Sequence, residues 1–382
     1  MKRLFLFFLI LPFVALAIGQ TNQEESANIQ TDSTQVSPRD STLTVEEIQF
    51  RDSIAAINQD SRLVQEAQEK YNTGVQKYEA EKYHEAIEMF NQSLEVKPDF
   101  IIAIFNRGMA YFELEEYSKA LQDFDKVLEI DETSIDARYK KAESLAGMKE
   151  YEKSATVYSV LIKMEPSKYK AYYYLGGIKF LMGEYEEAIK QFNQAINLNP
   201  KYANAYNDRA SCKRKMEDYQ SAISDLNKAI TIDPNQAFIY NNLGSTKKKI
   251  KDYSGAIAAY NKAIEKNPEY FLAFNNRGSI YLEQKSYDKA ISDFDKAIKL
   301  NMNYSPAYNN KGIALNKMEK YQEAIQNFDI AIENNPGYAV AYLNRGIAKE
   351  MSRDAEGACA DWKKAGELGM DLGGKYFNTE CE

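Results

Sequence analysis

A tyrosine recurs at one constant interval without a slip, at positions 83, 117, 151, 185, 219, 253, 287 and 321. Three residues after each stands a tiny side chain: Ala86, Ala120, Ser154, Ala188, Ala222, Ala256, Ala290 and Ala324. An uninterrupted period of this length admits few folds other than a stacked array, in which each unit buries its apolar face against the next. The period phases the chain as equal units covering 67–372, beginning at 67, 101, 135, 169, 203, 237, 271, 305 and 339.

Three further columns of this ruler explain how a unit folds. Position 8 is always small: Gly74, Gly108, Ala142, Gly176, Ala210, Gly244, Gly278, Gly312 and Gly346. Position 24 is always large and apolar: Phe90, Phe124, Tyr158, Phe192, Leu226, Tyr260, Phe294, Phe328 and Trp362. Position 32 is proline in Pro98, Pro166, Pro200, Pro234, Pro268 and Pro336, with Glu132 in the second unit and Met302 in the seventh. Runs such as Ala188-Ile189-Phe192-Ala195-Ile196 carry helical apolar spacing. Small residues at positions 8 and 20 let two antiparallel helices approach, and the ring at 24 fills the space beside them. Proline after the second helix cannot continue it and starts the turn into the next unit. Each unit reads as a helical hairpin, and the last, with Ala355 in place of the tyrosine, reads as an end repeat.

The units resemble tetratricopeptide repeats, over residues 67–372, in the small residue at 8, tyrosine at 17, alanine at 20, aromatic at 24 and proline at 32. The resemblance implies an all-α fold, a right-handed superhelical solenoid of antiparallel helical hairpins with nine units, of an exported bacterial type. It also implies that the first helix of each hairpin lines a concave groove.

The flanks suggest the rest of the domain plan. Met1-Lys2-Arg3 followed by an apolar run to Ile18 and a small-residue end reads as a signal peptide over 1–19, with an uncleaved anchor as the alternative. Residues 20–44 are rich in Gln, Asn, Ser, Thr and acids, too polar to offset chain entropy by burial, and read as a disordered linker. Apolar residues spaced from Val45 to Val64 suggest a helix over 45–66 that caps the array or tethers it. Residues 373–382 read as a tail too short for a full closing helix, with Leu372, Tyr376 and Phe377 covering the exposed end. The chain is thus expected to be exported, periplasmic or secreted, with no integral membrane segment after signal removal.

Positions 2, 5, 6, 9, 12 and 13 of the first helix share one face and are expected in the groove. Position 6 carries Asn72, Asn106, Asn242, Asn276, Asn310 and Asn344, with Lys140, Tyr174 and Asp208 in the third to fifth units. Position 5 adds Asn207, Asn241, Asn275 and Asn309. A carboxamide offers donor and acceptor together, so such a row can pair with the backbone of an extended peptide. The row is similar to the asparagine ladder of O-linked N-acetylglucosamine transferases; the alternative is that these amides brace the hairpins. Units one to four carry rings at position 5 (Tyr71, Phe105, Tyr139, Tyr173), suited to apolar anchors or sugar faces. Lys213-Arg214-Lys215 and Lys247-Lys248-Lys249 lie one period apart, so Arg214, Lys215, Lys248 and Lys249 are expected to stack and to attract an acidic segment or a terminal carboxylate; a solvated charged face is the alternative.

The composition narrows the function classes. A formal net charge of −8, made more negative when Lys2 and Arg3 leave with the leader, argues against nucleic-acid binding. One histidine, His84, and no motif of nucleophile, metal or phosphate chemistry argue against an enzyme, a cofactor or a metal site. Cys359 and Cys381 are a possible disulfide in an oxidising compartment, and Cys212 reads as an inert core thiol. The expected function is an adaptor or scaffold of the cell envelope that binds a protein or peptide partner. Alternatives are a structural subunit docked by convex or end surfaces, and a glycan-binding protein.

Overall fold

The structure, a computed structural model, describes residues 45–381; the leader expected at 1–19 and the linker expected at 20–44 lie outside the described residues. Among these the backbone forms nineteen α-helices and no strand. The helices are α1 (Val45–Glu79), α2 (Tyr83–Val96), α3 (Ile101–Glu113), α4 (Tyr117–Ile130), α5 (Ile135–Gly147), α6 (Tyr151–Met164), α7 (Tyr169–Leu181), α8 (Tyr185–Leu198) and α9 (Ala203–Lys215). They continue as α10 (Tyr219–Ile232), α11 (Ala237–Lys249), α12 (Tyr253–Lys266), α13 (Phe271–Glu283), α14 (Tyr287–Leu300), α15 (Ser305–Lys317), α16 (Tyr321–Asn334), α17 (Ala339–Met351), α18 (Ala355–Glu367) and α19 (Asp371–Glu380). The chain divides into two units, residues 1–61 and 62–382. In the first, the described side chains are exposed, Ile54 and Ile57 among them. The second is the solenoid: α3 pairs with α4, α5 with α6 and so on to α17 with α18, and each second helix also packs on the next first helix.

The hairpin turn has one geometry throughout. After α3, the Glu115 N–H donates to the Phe112 carbonyl and the Glu116 N–H to the Tyr111 carbonyl, each at 2.9 Å. This is the paired bonding of a Schellman motif, which satisfies the last carbonyls of the helix and requires a left-handed residue between. That residue falls at position 15 of every unit, with φ from +57° at Lys285 to +81° at Gly183. Glycine, which adopts this region freely, supplies it only at Gly183.

The link between hairpins explains why proline is dispensable. Asp131, Asn199, Asp233, Asn267, Asn301 and Asn335 each accept, through the side chain, from the N–H two residues on. Such Asx turns fix the chain direction by themselves. The second and seventh units therefore keep the turn with Glu132 and Met302 where the others have proline.

The core is the column of position-24 side chains, from Phe90 to Trp362, each at most 2% exposed. Full burial of such a side chain stabilises by roughly 1.5–3 kcal/mol relative to exposure. Position 8 is small because the ring lies against it; a Cβ on Gly278 would come within 2.8 Å of the Phe294 ring. A second column bolts neighbouring hairpins together. Arg107, Arg209, Arg277 and Arg345 at position 7 each form a two-pronged pair with Asp123, Asp225, Asp293 and Asp361 of the same hairpin. Each also donates to position 25 of the preceding hairpin: Asn91, Asn193, Asn261 and Asp329. The fixed fork of guanidinium suits this three-way contact, which lysine cannot reproduce.

Both ends differ from the sequence-based expectation. The helix expected over 45–66 is continuous with the first helix of the array, since neither proline nor a glycine pair interrupts α1 before Glu79. Every residue from Arg51 to Glu66 is exposed, and burial begins at Ala67, whose carbonyl accepts from the Ser93 hydroxyl. At the other end the expected tail is the ten-residue helix α19, packed on α18. Gly373 makes the approach possible: its Cα edge lies close enough to Ala365 that a Cβ would meet it at 2.6 Å. Tyr376 stacks on Trp362 at 5.1 Å and Phe377 joins the same cluster, whereas Leu372 is 49% exposed and covers nothing. A Cys359–Cys381 disulfide, with Cα atoms 5.8 Å apart, holds the end of α19 to α18. Cys212 is a buried free thiol.

Candidate functional site: the inner face of the first helices

Successive first helices touch one another, α3 with α5, α7 with α9, α9 with α11 and on to α15 with α17, more closely than successive second helices do. The layer in closer contact is the inside of a curve. The first helices therefore line the concave side, and their exposed face is the candidate site.

On this face a step of 35 residues connects position 5 of one unit with position 6 of the next. The Nδ2 groups of Asn242, Asn276, Asn310 and Asn344 donate to Oδ1 of Asn207, Asn241, Asn275 and Asn309 at 2.9–3.0 Å. The same step joins Asn106 Nδ2 to the Tyr71 hydroxyl at 2.8 Å, and the Tyr173 hydroxyl to Asp208 Oδ2 at 2.7 Å. Position 5, expected in the groove, is buried beneath it: Asn207, Asn241, Asn275 and Asn309 are 2–7% exposed. These four are the acceptors of a bracing ladder. The position-6 carboxamides are half-buried, and each spends one N–H on that ladder. The Oδ1 atoms of Asn276 and Asn310 also accept long bonds from Asn275 and Asn309 Nδ2 at 3.5 and 3.4 Å, and each position-6 carboxamide has a second N–H besides the one on the ladder. Asn72 stands apart, exposed, with its Oδ1 accepting from Gln68 of its own helix.

The rings of the first four units also pack inward. Tyr71, Phe105, Tyr139 and Tyr173 lie against Phe90, Phe124, Tyr158 and Phe192 of their own hairpins, with centroids 5.5–6.1 Å apart. Tyr173 is buried and the other three are half-buried, so most of their area is spent on packing.

The centre of the groove departs from the asparagine row. Lys140 pairs with Glu143 at 2.8 Å, and burial pushes that carboxyl up while Lys140 pulls it down. Asp208 has no cation; it accepts from Tyr173 and from Asn207 Nδ2, and burial pushes its pKa up to about 7 against those two bonds. The sequence alone singles out neither acid as a site residue. The signal is the break in the position-6 column at Lys140, Tyr174 and Asp208.

The basic residues separate. Lys213 is paired with Asp225 and Lys247 with Asp252. Lys248 reaches Glu283 at 2.6 Å and the Ser279 hydroxyl at 2.9 Å, so it is not a free cation of the expected cluster. Lys215 and Lys249 are exposed, and Arg214 is half-buried with its pKa lowered by burial. Among the described residues no group of His, Cys, Asp and Glu is arranged to hold a metal, and no helix is long and apolar enough to cross a membrane.

A curved stack of helical hairpins with a ridged inner face defines a repeat scaffold. Sequence profiles described as tetratricopeptide repeat match residues 101–134 and 305–338, 139–196 and 242–305, and 168–235 with 201–269, together more than half of the chain. The chain belongs to the tetratricopeptide-repeat family, whose fold generally mediates protein–protein interaction. Among solved structures it is similar to the APC/C hetero-tetramer Cut9–Hcn1, with a TM-score of 0.55 at 15% identity over 83% of this chain and 76% of that one. A tetratricopeptide repeat protein from Parabacteroides merdae gives a TM-score of 0.53 at 18% identity, over 65% of this chain and 99% of that one. Both likenesses are of fold. Among curated proteins no sequence matches the chain.

Proposed function

We propose that this protein is an exported, non-enzymatic adaptor of the cell envelope that uses nine tetratricopeptide repeats to hold an extended segment of a protein partner along its concave groove. The observation that carries this reading is the row of half-buried position-6 carboxamides at Asn242, Asn276, Asn310 and Asn344. Each is held by a bond to a buried neighbour, and a carboxamide has a second N–H and a second carbonyl lone pair with which to meet an extended backbone. Fixing the amides in advance lowers the ordering cost of binding. Export is supported by the leader-like start and by the Cys359–Cys381 disulfide, a bond that persists in oxidising compartments.

The test is recovery of the partner from the native envelope by affinity purification. Replacing Asn276 and Asn310 together by Ala is expected to reduce recovery by about tenfold, two lost hydrogen bonds at roughly 0.5–1.5 kcal/mol each. Removing residues 20–66 is expected to leave recovery intact. The reverse pattern would transfer the function to the other reading, a structural subunit docked by its ends, which the exposed Ile54 and Ile57 of α1 favour.

A further inference from the structure

The 35-residue step that sets the amide ladder also relates position 12 of one unit to position 13 of the next, and at two junctions a donor meets a glutamate there. At the first junction the Tyr78 hydroxyl donates to Glu113 Oε1 at 3.4 Å. At the junction of the sixth and seventh units Lys248 pairs with Glu283 at 2.6 Å. In each case position 12 supplies a donor and position 13 a glutamate. Between the fifth and sixth units the same step sets Arg214 opposite Lys249, a donor opposite a second cation. No acid of the chain stands at position 13 there to meet Arg214.

Arg214 itself carries the mark of that gap. The other half-buried arginines of the array all reach an oxygen acceptor: Arg107, Arg209, Arg277 and Arg345 an aspartate, and Arg138 the Glu132 carbonyl. For Arg214 the structure gives no side-chain hydrogen bond and no ion pair. Burial lowers its pKa, with only the hydroxyls of Tyr260 and Tyr219 opposing that effect. A half-buried guanidinium without an acceptor is costly, and a carboxylate that meets it gains a charge-assisted bond in a partly desolvated place.

We infer that Arg214 and Lys249 form an anchor for an acidic side chain, aspartate or glutamate, of the extended partner segment, which supplies the acceptor that Arg214 lacks within the chain. The inference rests on the groove-binding reading above and adds to it where the partner's acid sits. A side chain is favoured over a terminal carboxylate because the anchor lies mid-array. Beyond it the carboxamides continue at Asn276, Asn310 and Asn344, so a bound segment runs past Arg214 and does not end there. The chain as a whole, at net charge −8, repels acidic peptides, so a preference for acid has to arise locally.

The probes are short fluorescent peptides with acetylated and amidated ends, identical except for a central Glu-Glu or Gln-Gln pair, titrated into the full chain and followed by anisotropy. The Glu peptide is expected to bind about tenfold tighter than the Gln peptide at low salt, with the advantage shrinking as salt rises. Lys249→Glu, on an exposed side chain, rebuilds the internal pair found at Lys248 and Glu283. It is expected to erase that preference while leaving the Gln peptide unaffected; Arg214→Gln should do the same. Equal binding of both peptides would overturn the anchor and leave the groove reading standing. A preference that appears only when the peptide ends in a free carboxylate would overturn the side-chain assignment. If neither peptide binds, the groove reading fails and the anchor with it.

Discussion

The two halves of the groove fill one slot in opposite ways. At position 5 the first four units place an aromatic ring against the ring at position 24, as Tyr173 does against Phe192. The fifth to eighth units place a buried asparagine there, as Asn275 does, and hand its carbonyl to the next unit. The ring packs within its hairpin through area, and the hydroxyls of Tyr71 and Tyr173 also reach the next unit; the amide ties every hairpin of its half to its neighbour through direction. Area tolerates small shifts between units, whereas a hydrogen bond near 3 Å does not. The carboxamide half is therefore the part in which every junction carries such a lateral bond, and the groove functions proposed above fall within it.

The largest effect expected of this contrast is loss of stability in the aromatic half. Tyr173→Ala removes a 3% exposed ring that touches Phe192, Tyr174 and Tyr202, and should cost about 3–5 kcal/mol, the range for large-to-small aromatic deletions. Because a repeat array is stabilised unit by unit, the loss should split the denaturant transition at the fourth unit instead of shifting it whole. A single, unshifted transition would mean that the ring does not hold its hairpin.

The carboxamide half should respond less, and pairwise. Asn275→Ala leaves the Asn310 donor without its partner and should cost about 1–3 kcal/mol. The double variant with Asn310→Ala should cost less than the sum of the two single changes, giving a coupling energy of about 1 kcal/mol by denaturation. Additive effects would show that the ladder does not couple neighbours.

The contrast also marks what can be read from the sequence. The hairpins, the ring column and the small residue at position 8 are all legible, because each recurs with the tyrosine period and reflects local shape. The amide ladder is only half legible. Reading positions 5 and 6 as one exposed face misses that position 5 turns inward, since helical spacing alone does not say which side neighbouring units cover. The basic cluster misleads for a related reason: Lys248 lies one period from Arg214, but its partner Glu283 lies a period and one further residue away, a diagonal that a vertical column hides. The clamp from Arg107 to Asp123 recurs as an arginine with an aspartate 16 residues on, a signal present in four units. The terminal helix α19 escapes the sequence because its ten residues look weak until Gly373 lets them dock on α18.

The smallest effect belongs to the junction of the two halves, where Asp208 replaces asparagine in the ladder. Its carboxyl, pushed up to about 7 by burial, binds a proton in the folded chain that the unfolded chain has already released. Between the ordinary carboxylate range near 4 and about 7 the folded state thus holds more protons, so stability falls as pH rises through that window. Asp208→Asn keeps an acceptor for the Tyr173 hydroxyl and removes the ionisation. Relative to wild type the variant should be more stable at pH 8 by about 1–2 kcal/mol, with the difference fading toward pH 4. Melting temperatures of the two proteins measured across that range test this directly. Parallel curves would mean that Asp208 stays ionised in the fold, and that the ladder crosses from rings to amides without an electrostatic penalty at the seam.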